Sequence, residues 1–471
     1  MKHNSQLTRF HNCFILRDSK IIKEDLWVRD GKIANPEEVF YVEQNQADVT
    51  VNCDGQLIAP GYIDIQINGG VGIDFSFDSE NVEDGVEKVA RELLKYGVTS
   101  FCPTMVTSDK EKYSKILPRI KKKQGGKHGA TILGVHLEGP FINTAKKGAH
   151  MSELIRNPEK GLQSITDMYG SLENAIIVTL APELPGALDA IKGLAALGLR
   201  VAVGHSIASL SEGEAAVNAG VNLITHLFNA MLPFHHRDPG LVGLLAATLP
   251  KQIYYGIISD GLHTHPASLR IACKTNPEGL ILVSDAIAAL GLPDGDYRIG
   301  PQAMIVKNNQ AYVAGTNTLC GSMAALDECV RVLKKSTECS LEYALEAATL
   351  HPARALGIEH KKGTLNYGSD ADFVMLHPES LQVHSTWIAG NTPTSNREGN
   401  IVELTLCAVN PTDCRPVRRG WRRSPAGLPA PTAPARAPLR TRVACRYTAI
   451  VDISGRGRGP VPTAFSDPYI Y

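Results

Sequence analysis

The chain has 471 residues, 43% of them hydrophobic and 20% charged, with 48 basic and 48 acidic side chains. That length and apolar content suit one large domain with an accessory part and exclude wholesale disorder. Zero net charge argues against a nucleic-acid or membrane partner chosen by bulk electrostatics, and no run is long enough to span a membrane. The 10 cysteines contain no Cys-x-x-Cys pair. They read as reduced thiols of a cytoplasmic protein, and the polar Met1–Phe10 lacks the apolar core of a secretory leader.

In chain order, residues 7–54 carry short strand-like pieces at Cys13–Leu16, Asp25–Val28 and Val49–Val51, with a turn signal at Arg29-Asp30-Gly31-Lys32. Continuous apolar runs follow at Leu57–Ile67, Val98–Pro103, Thr131–Leu137, Ala175–Leu180, Arg200–Val203, Val221–Thr225, Tyr254–Ser259 and Leu280–Ser284. Between several of them lie helical patterns, at Gly85–Tyr96, Lys110–Lys123, Ala187–Leu197, Leu210–Ala219 and Pro266–Thr275. Buried parallel strands read as continuous apolar runs, so eight such units predict a closed α/β (β/α)8 barrel of the TIM type. No Gly-x-Gly-x-x-Gly follows a first strand to favour an open doubly wound sheet. Met323–Lys335 and Leu341–Leu350 are expected to be helices at the barrel bottom, and residues 363–376 a turn and strand that join the N-terminal pieces in a small β-sandwich. The expected division is 1–56, N-terminal part of the sandwich; 57–355, barrel; 356–390, C-terminal part of the sandwich; and 391–471, an atypical tail. From Arg397 onward twelve arginines stand against five acids, and 16 of 75 residues are Pro or Gly. That composition predicts disorder.

Functional side chains of such a barrel sit at the C-terminal strand ends. The third run ends in His136-Leu137-Glu138-Gly139-Pro140, the fifth in Gly204-His205-Ser206, and the sixth in Thr225-His226-Leu227-Phe228-Asn229-Ala230. The seventh ends in Ser259-Asp260-Gly261-Leu262-His263 and the eighth in Val283-Ser284-Asp285-Ala286. Any one of these alone reads as a hydrogen-bonded core residue. Together, one Glu and two His supply three ligands and leave a fourth position open, as a catalytic metal needs. Such a metal lowers the pKa of bound water to ~7 in favourable sites. Asp285 is placed to take a proton from water and return it to a leaving group.

These strings, with Ala59-Pro60-Gly61-Tyr62-Ile63-Asp64, Lys147-Gly148-Ala149-His150 and the Met231 that follows Ala230, resemble the amidohydrolase superfamily. Within it they resemble the N-acetylglucosamine-6-phosphate deacetylase family, over roughly residues 7–390. The resemblance implies removal of the acetyl group from N-acetylglucosamine 6-phosphate, giving glucosamine 6-phosphate and acetate, in amino-sugar catabolism. It implies one divalent metal ion per chain (zinc, cobalt or similar) on Glu138, His205 and His226, with Asp285 as base and then acid. His150 would steady the developing oxyanion. Ala149, Asn229, Ala230, Arg237 and His263 match substrate-binding positions, the sugar phosphate falling to the last four, and Leu319 the residue lining the acetyl-methyl pocket, here followed by Cys320. Part of the phosphate site comes from a neighbouring subunit in the family, which implies a homodimer. Another cyclic-amide or dipeptide hydrolase of the superfamily, or a catalytically weak scaffold form, are the competing readings; the first would need no Arg237 or His263.

Two departures stand out. Where binuclear superfamily members carry His-x-His, this chain has Gln66 and Asn68. Neutral amides are poor ligands for a zinc-like ion, so one metal is expected. Past Thr386-Trp387-Ile388-Ala389-Gly390 the family continues into a closing strand, which the residues from Asn391 onward do not resemble.

Overall fold

The computed structural model describes residues 6–77, 80–299, 302–316 and 321–391. The expectations for the tail, for Leu319 and for Cys320 lie outside the described residues.

Eight parallel strands succeed one another around a barrel: β1 Tyr62–Ile67, β2 Val98–Val106, β3 Val135–Glu138, β4 Ala175–Leu180, β5 Arg200–Val203, β6 Leu223–Ile224, β7 Tyr254–Ile257 and β8 Leu280–Leu282. Each pairs with its successor from β1 to β8. The ring closes where the Asp285 amide donates to the Gln66 carbonyl at 2.9 Å. Ile63, Ile65, Ile177, Ala202, Ile281 and Val283 form one interior cluster with Ala353 and Leu356. The last two lie on the helix Leu350–Leu356, which plugs the N-terminal end. There the Arg200 guanidinium and the Asn222 amide donate to the Leu356 and Ala355 carbonyls. Helices placed by sequence pattern at Leu210–Ala219 and Pro266–Thr275 start and stop there. The first has a reciprocal Ser209–Glu212 capping box, and the second has Pro266 in its first turn.

Two local readings are revised, and two further elements were not read from the sequence. The run Leu57–Ile67 is not one strand. Leu57–Pro60 pairs with Phe373–Leu376 and Phe14–Arg17, while the barrel begins at Tyr62. The break is Gly61, where a Cβ would stand 2.1 Å from Thr99 Oγ1. The helix from Lys110 stops at Ile116, because Pro118 has no N–H to continue it. Between β6 and β7, where no helix was read from the sequence, lies a 3-10 segment, Gly240–Leu245. After β8 comes a three-stranded antiparallel sheet, Gly295–Ile299, Gln302–Lys307 and Gln310–Val313, that the sequence reading did not anticipate.

The chain ends form two further sheets. One runs Lys32–Ile33, Leu26–Arg29, Leu7–His11, Val49–Asn52; the other runs Val383–Trp387, Phe373–Leu376, Leu57–Pro60, Phe14–Arg17, Lys20–Ile22. Their shared core contains Phe10, Ile15, Val28, Ile58, Phe373 and Trp387. Phe10 meets the Phe373 and Trp387 rings edge-on at 5.1 and 4.8 Å. The turn at Asp30-Gly31 has φ of 52° and 71°, which suits a tight hairpin between right-twisted strands.

Candidate active site

The barrel brings Glu138, His205, His226 and Asp285 to one rim, the first three buried and Asp285 half-buried. Glu138 is the last residue of β3. The turn after it is fixed by the Tyr113 and Tyr169 hydroxyls, which donate to the Gly139 carbonyl at 3.0 and 2.6 Å. His205, His226 and Asp285 follow β5, β6 and β8 with φ of 49°, 28° and 45°. Left-handed backbone is unfavourable for residues with a Cβ and clusters at functional sites. Here it turns three side chains inward where the strands give way to loops.

Glu138 Oε1 is 3.2 Å from His205 Nε2 and 3.0 Å from His226 Nε2, and the two imidazole nitrogens are 3.0 Å apart. His205 Nδ1 donates to the Lys146 carbonyl at 2.8 Å, so a neutral His205 turns the bare lone pair of Nε2 toward the carboxylate. Two imidazole nitrogens and a carboxylate oxygen converging on one point suit a cation among them. The donor set therefore fits a divalent metal. Burial opposes charge on His226, but the Glu138 carboxylate outweighs it and raises the imidazole pKa to about 9. Burial likewise acts to raise the Glu138 pKa, and the two histidines overcome it and hold the carboxyl well below its usual range.

Gln66 and Asn68 are present at the same rim, but as donors. Gln66 Nε2 donates to Glu138 Oε1 at 3.1 Å, and Asn68 Nδ2 to Asp285 Oδ1 at 2.7 Å. Burial first, and then the charge on Glu138, push Asp285 up to about 7. A carboxyl so poised can exchange a proton near neutrality.

These residues open on a cavity of about 230 Å³, lined also by Ala149, His150, Asn229, Ala230 and His263. His150 packs against His205 with ring centroids 4.6 Å apart. Its burial, with the neighbouring His205, lowers its pKa to about 3, so the ring is neutral. Asp260 accepts from His263 Nδ1 and from the backbone amides of Leu262 and His263, fixing that ring. Arg237 is exposed on the segment after β6 and is not among the residues lining the cavity. Close to it in sequence, Leu232 and Phe234 are 38% and 64% exposed. The sequence reading missed Phe77, Thr107, Met151, Ile287 and Met304 in the wall. Met304 comes from the unanticipated sheet, whose one signal is Asn308-Asn309, with φ of 53° and 58° at a hairpin turn.

Residues 57–402 match the amidohydrolase family. The chain is 54% identical over 390 residues to the human N-acetylglucosamine-6-phosphate deacetylase, covering 82% of this chain and 95% of that one. It is 52% identical over 391 residues to the enzyme of the same name from Danio rerio, covering 82% and 96%. The structure of that deacetylase from Pasteurella multocida superposes with a TM-score of 0.72 at 28% identity, covering 83% of this chain and all of the other. The Mycobacterium smegmatis protein, solved in complex with N-acetyl-D-glucosamine-6-phosphate, gives 0.70 at 30% identity, with 83% and 100% covered. A Xaa-Pro dipeptidase at 12% identity and a TM-score of 0.53 shares the fold alone.

Proposed function

The chain belongs to the amidohydrolase family, and we propose that within it the protein hydrolyses the acetamide of N-acetylglucosamine 6-phosphate to glucosamine 6-phosphate and acetate. The observation that carries this reading is the 52–55% identity to vertebrate deacetylases of that name, which spans nearly their whole length. The convergent cluster gives the reading its chemistry.

Glu138, His205 and His226 would hold one divalent ion. When bound, it supplies Lewis acidity that makes water a competent nucleophile near neutral pH. Asp285 takes the proton from the attacking water and passes it to the departing amine nitrogen, and Asn68 keeps the carboxylate aimed. His150, neutral and buried, donates to the acetamide oxygen as negative charge develops there. Asn229, Ala230 and His263 receive the sugar phosphate from within the chain. Arg237, outside the cavity and next to exposed Leu232 and Phe234, serves the site of a neighbouring copy in a homodimer, where its planar fork suits phosphate oxygens. The reduced thiols and the sugar-phosphate substrate favour a cytoplasmic enzyme.

Acetate release should be rapid with N-acetylglucosamine 6-phosphate and weak with the unphosphorylated sugar. Arg237→Ala should raise KM about tenfold or more for the phosphorylated substrate, the worth of one charge-assisted pair, and change the weak reaction little. Equal damage to both substrates would remove Arg237 from the phosphate site. Elemental analysis should give one ion per chain, lost in His205→Ala. Two tightly held ions would overturn the donor role given to Gln66 and Asn68.

A further inference from the structure

Thr107 follows β2 and is 1% exposed, in the wall of the cavity. Its backbone N–H donates to His150 Nδ1 at 3.3 Å, and its Oγ1 lies 2.6 Å from the same nitrogen. A backbone N–H can only donate, so His150 Nδ1 must be an acceptor, and a neutral ring then carries its single proton on Nε2. The space for this arrangement is reserved by Gly139, where φ is +82° and a Cβ would lie 2.2 Å from Thr107 Oγ1. His205 shows the opposite pattern, with Nδ1 donating to Lys146 and Nε2 bare.

We propose that Thr107 is a positioning residue, which fixes His150 as the Nε2–H tautomer and so makes it a hydrogen-bond donor rather than a metal ligand. This rests on the reading of His150 as the donor to the acetamide oxygen. The distinction matters because Glu138, His150 and His205 place potential ligand atoms within 4.8 Å of one another, and distance alone would admit His150 to the metal shell. A protonated Nε2 has no lone pair to give. The tautomers thus divide the neighbouring imidazoles: His205 offers a lone pair, and His150 offers a proton to the oxygen that gains charge in the transition state.

Four variants test this: Thr107→Val, Thr107→Ser, His150→Asn and the Thr107→Val/His150→Asn pair, each in the full-length protein. Thr107→Val removes the hydroxyl and preserves shape. It should lower kcat about tenfold, the usual scale of one buried hydrogen bond, with KM changed less than about twofold. Thr107→Ser should restore most of the rate. On the His150→Asn background, Thr107→Val should change kcat less than about twofold, since the two act through one donor. Metal content should equal that of the wild type in all four. With 15N-labelled histidine, the His150 resonances, assigned by their loss in His150→Asn, should show the proton on Nε2. Loss of the ion in His150→Asn, or a proton on Nδ1, would overturn the proposal. So would fully multiplicative kcat losses in the pair, or Thr107→Val at wild-type kcat while His150→Asn is slow. A fast His150→Asn enzyme would instead sink the role given to His150, and the positioning role with it.

Discussion

At the scale of the residue, environment sets what each carboxyl can do. Glu138 and Asp285 share a rim, yet their affinities for a proton are driven apart. Two imidazoles hold Glu138 ionised, while burial and the Glu138 charge raise Asp285 to about 7. A base must be ionised to accept a proton, so kcat should fall as pH drops below that region. A cation at Glu138, His205 and His226 opposes the influence of Glu138 and favours the ionised form of Asp285. The acidic fall of the loaded enzyme should therefore lie below pH 7, and Asp285→Asn should cut kcat about 100-fold or more with the ion retained. A variant with near-native turnover would show that the proton moves by another group. The four rim residues were legible because each ends an apolar run, and four ionisable side chains at four strand ends need a common reason. Thr107 was not, because a threonine in a loop carries no periodic signal and its meaning lies in a contact 43 positions away.

Elements show the same division between pattern and contact. The barrel strands were readable because both faces of each are buried, which leaves an unbroken apolar run. β1 is buried at every one of its six positions. The sheet at 295–313 escaped notice because alternation over short, partly polar strands is a weak signal, and its turn is Asn-Asn without glycine. The crossing from sandwich to barrel was hidden for another reason. Leu57–Pro60 and Tyr62–Ile67 are both buried throughout, so no change in polarity marks the boundary. Only Gly61 does. Its amide donates to the Asp372 carbonyl at 2.9 Å while its α-carbon faces the Thr99 side chain. Gly61→Ala should therefore cost about 1–3 kcal/mol, the usual range for overpacking a tight interior. Urea unfolding measures it. A loss under 0.5 kcal/mol, by the same scale, would mean that Thr99 moves aside freely.

For the molecule as a whole, the two chain ends must be held to the barrel that lies between them in sequence, and residues 362–372 do this. The Ala371 amide donates to the Gly31 carbonyl, the Ile33 amide donates to the Ser369 carbonyl, and the Ile33 carbonyl accepts from the Gly368 amide. The Asp372 carbonyl receives Gly61, and its Oδ1 receives the Ala389 amide. Beneath this backbone lies a charge cluster. Lys362, 6% exposed, pairs with Asp372 and lies 3.1 Å from Asp370, which also meets Lys32 from the N-terminal hairpin. Burial works against the charge on Lys362, yet Asp372 and Asp370 outweigh it and raise its pKa. Burial works against Asp370 too, and Lys32 and Lys362 outweigh it and lower its pKa. The signs follow. The contribution of Asp370 is complete above its ordinary value of 3.8 and fades as pH falls through the depressed one. That of Lys362 is complete below its ordinary 10.5 and fades above it. Both are present at neutrality. Lys362→Ala strands the buried Asp372 carboxylate and should cost about 3–5 kcal/mol at pH 7, the scale for removing one partner of a buried pair. The gap from wild type should narrow in acid, where the carboxylates left behind take up protons. Urea unfolding at pH 7 and in acid measures both, and a gap that stays below about 1 kcal/mol at pH 7, or that widens in acid, would place the hold on the chain ends in the backbone bonds alone.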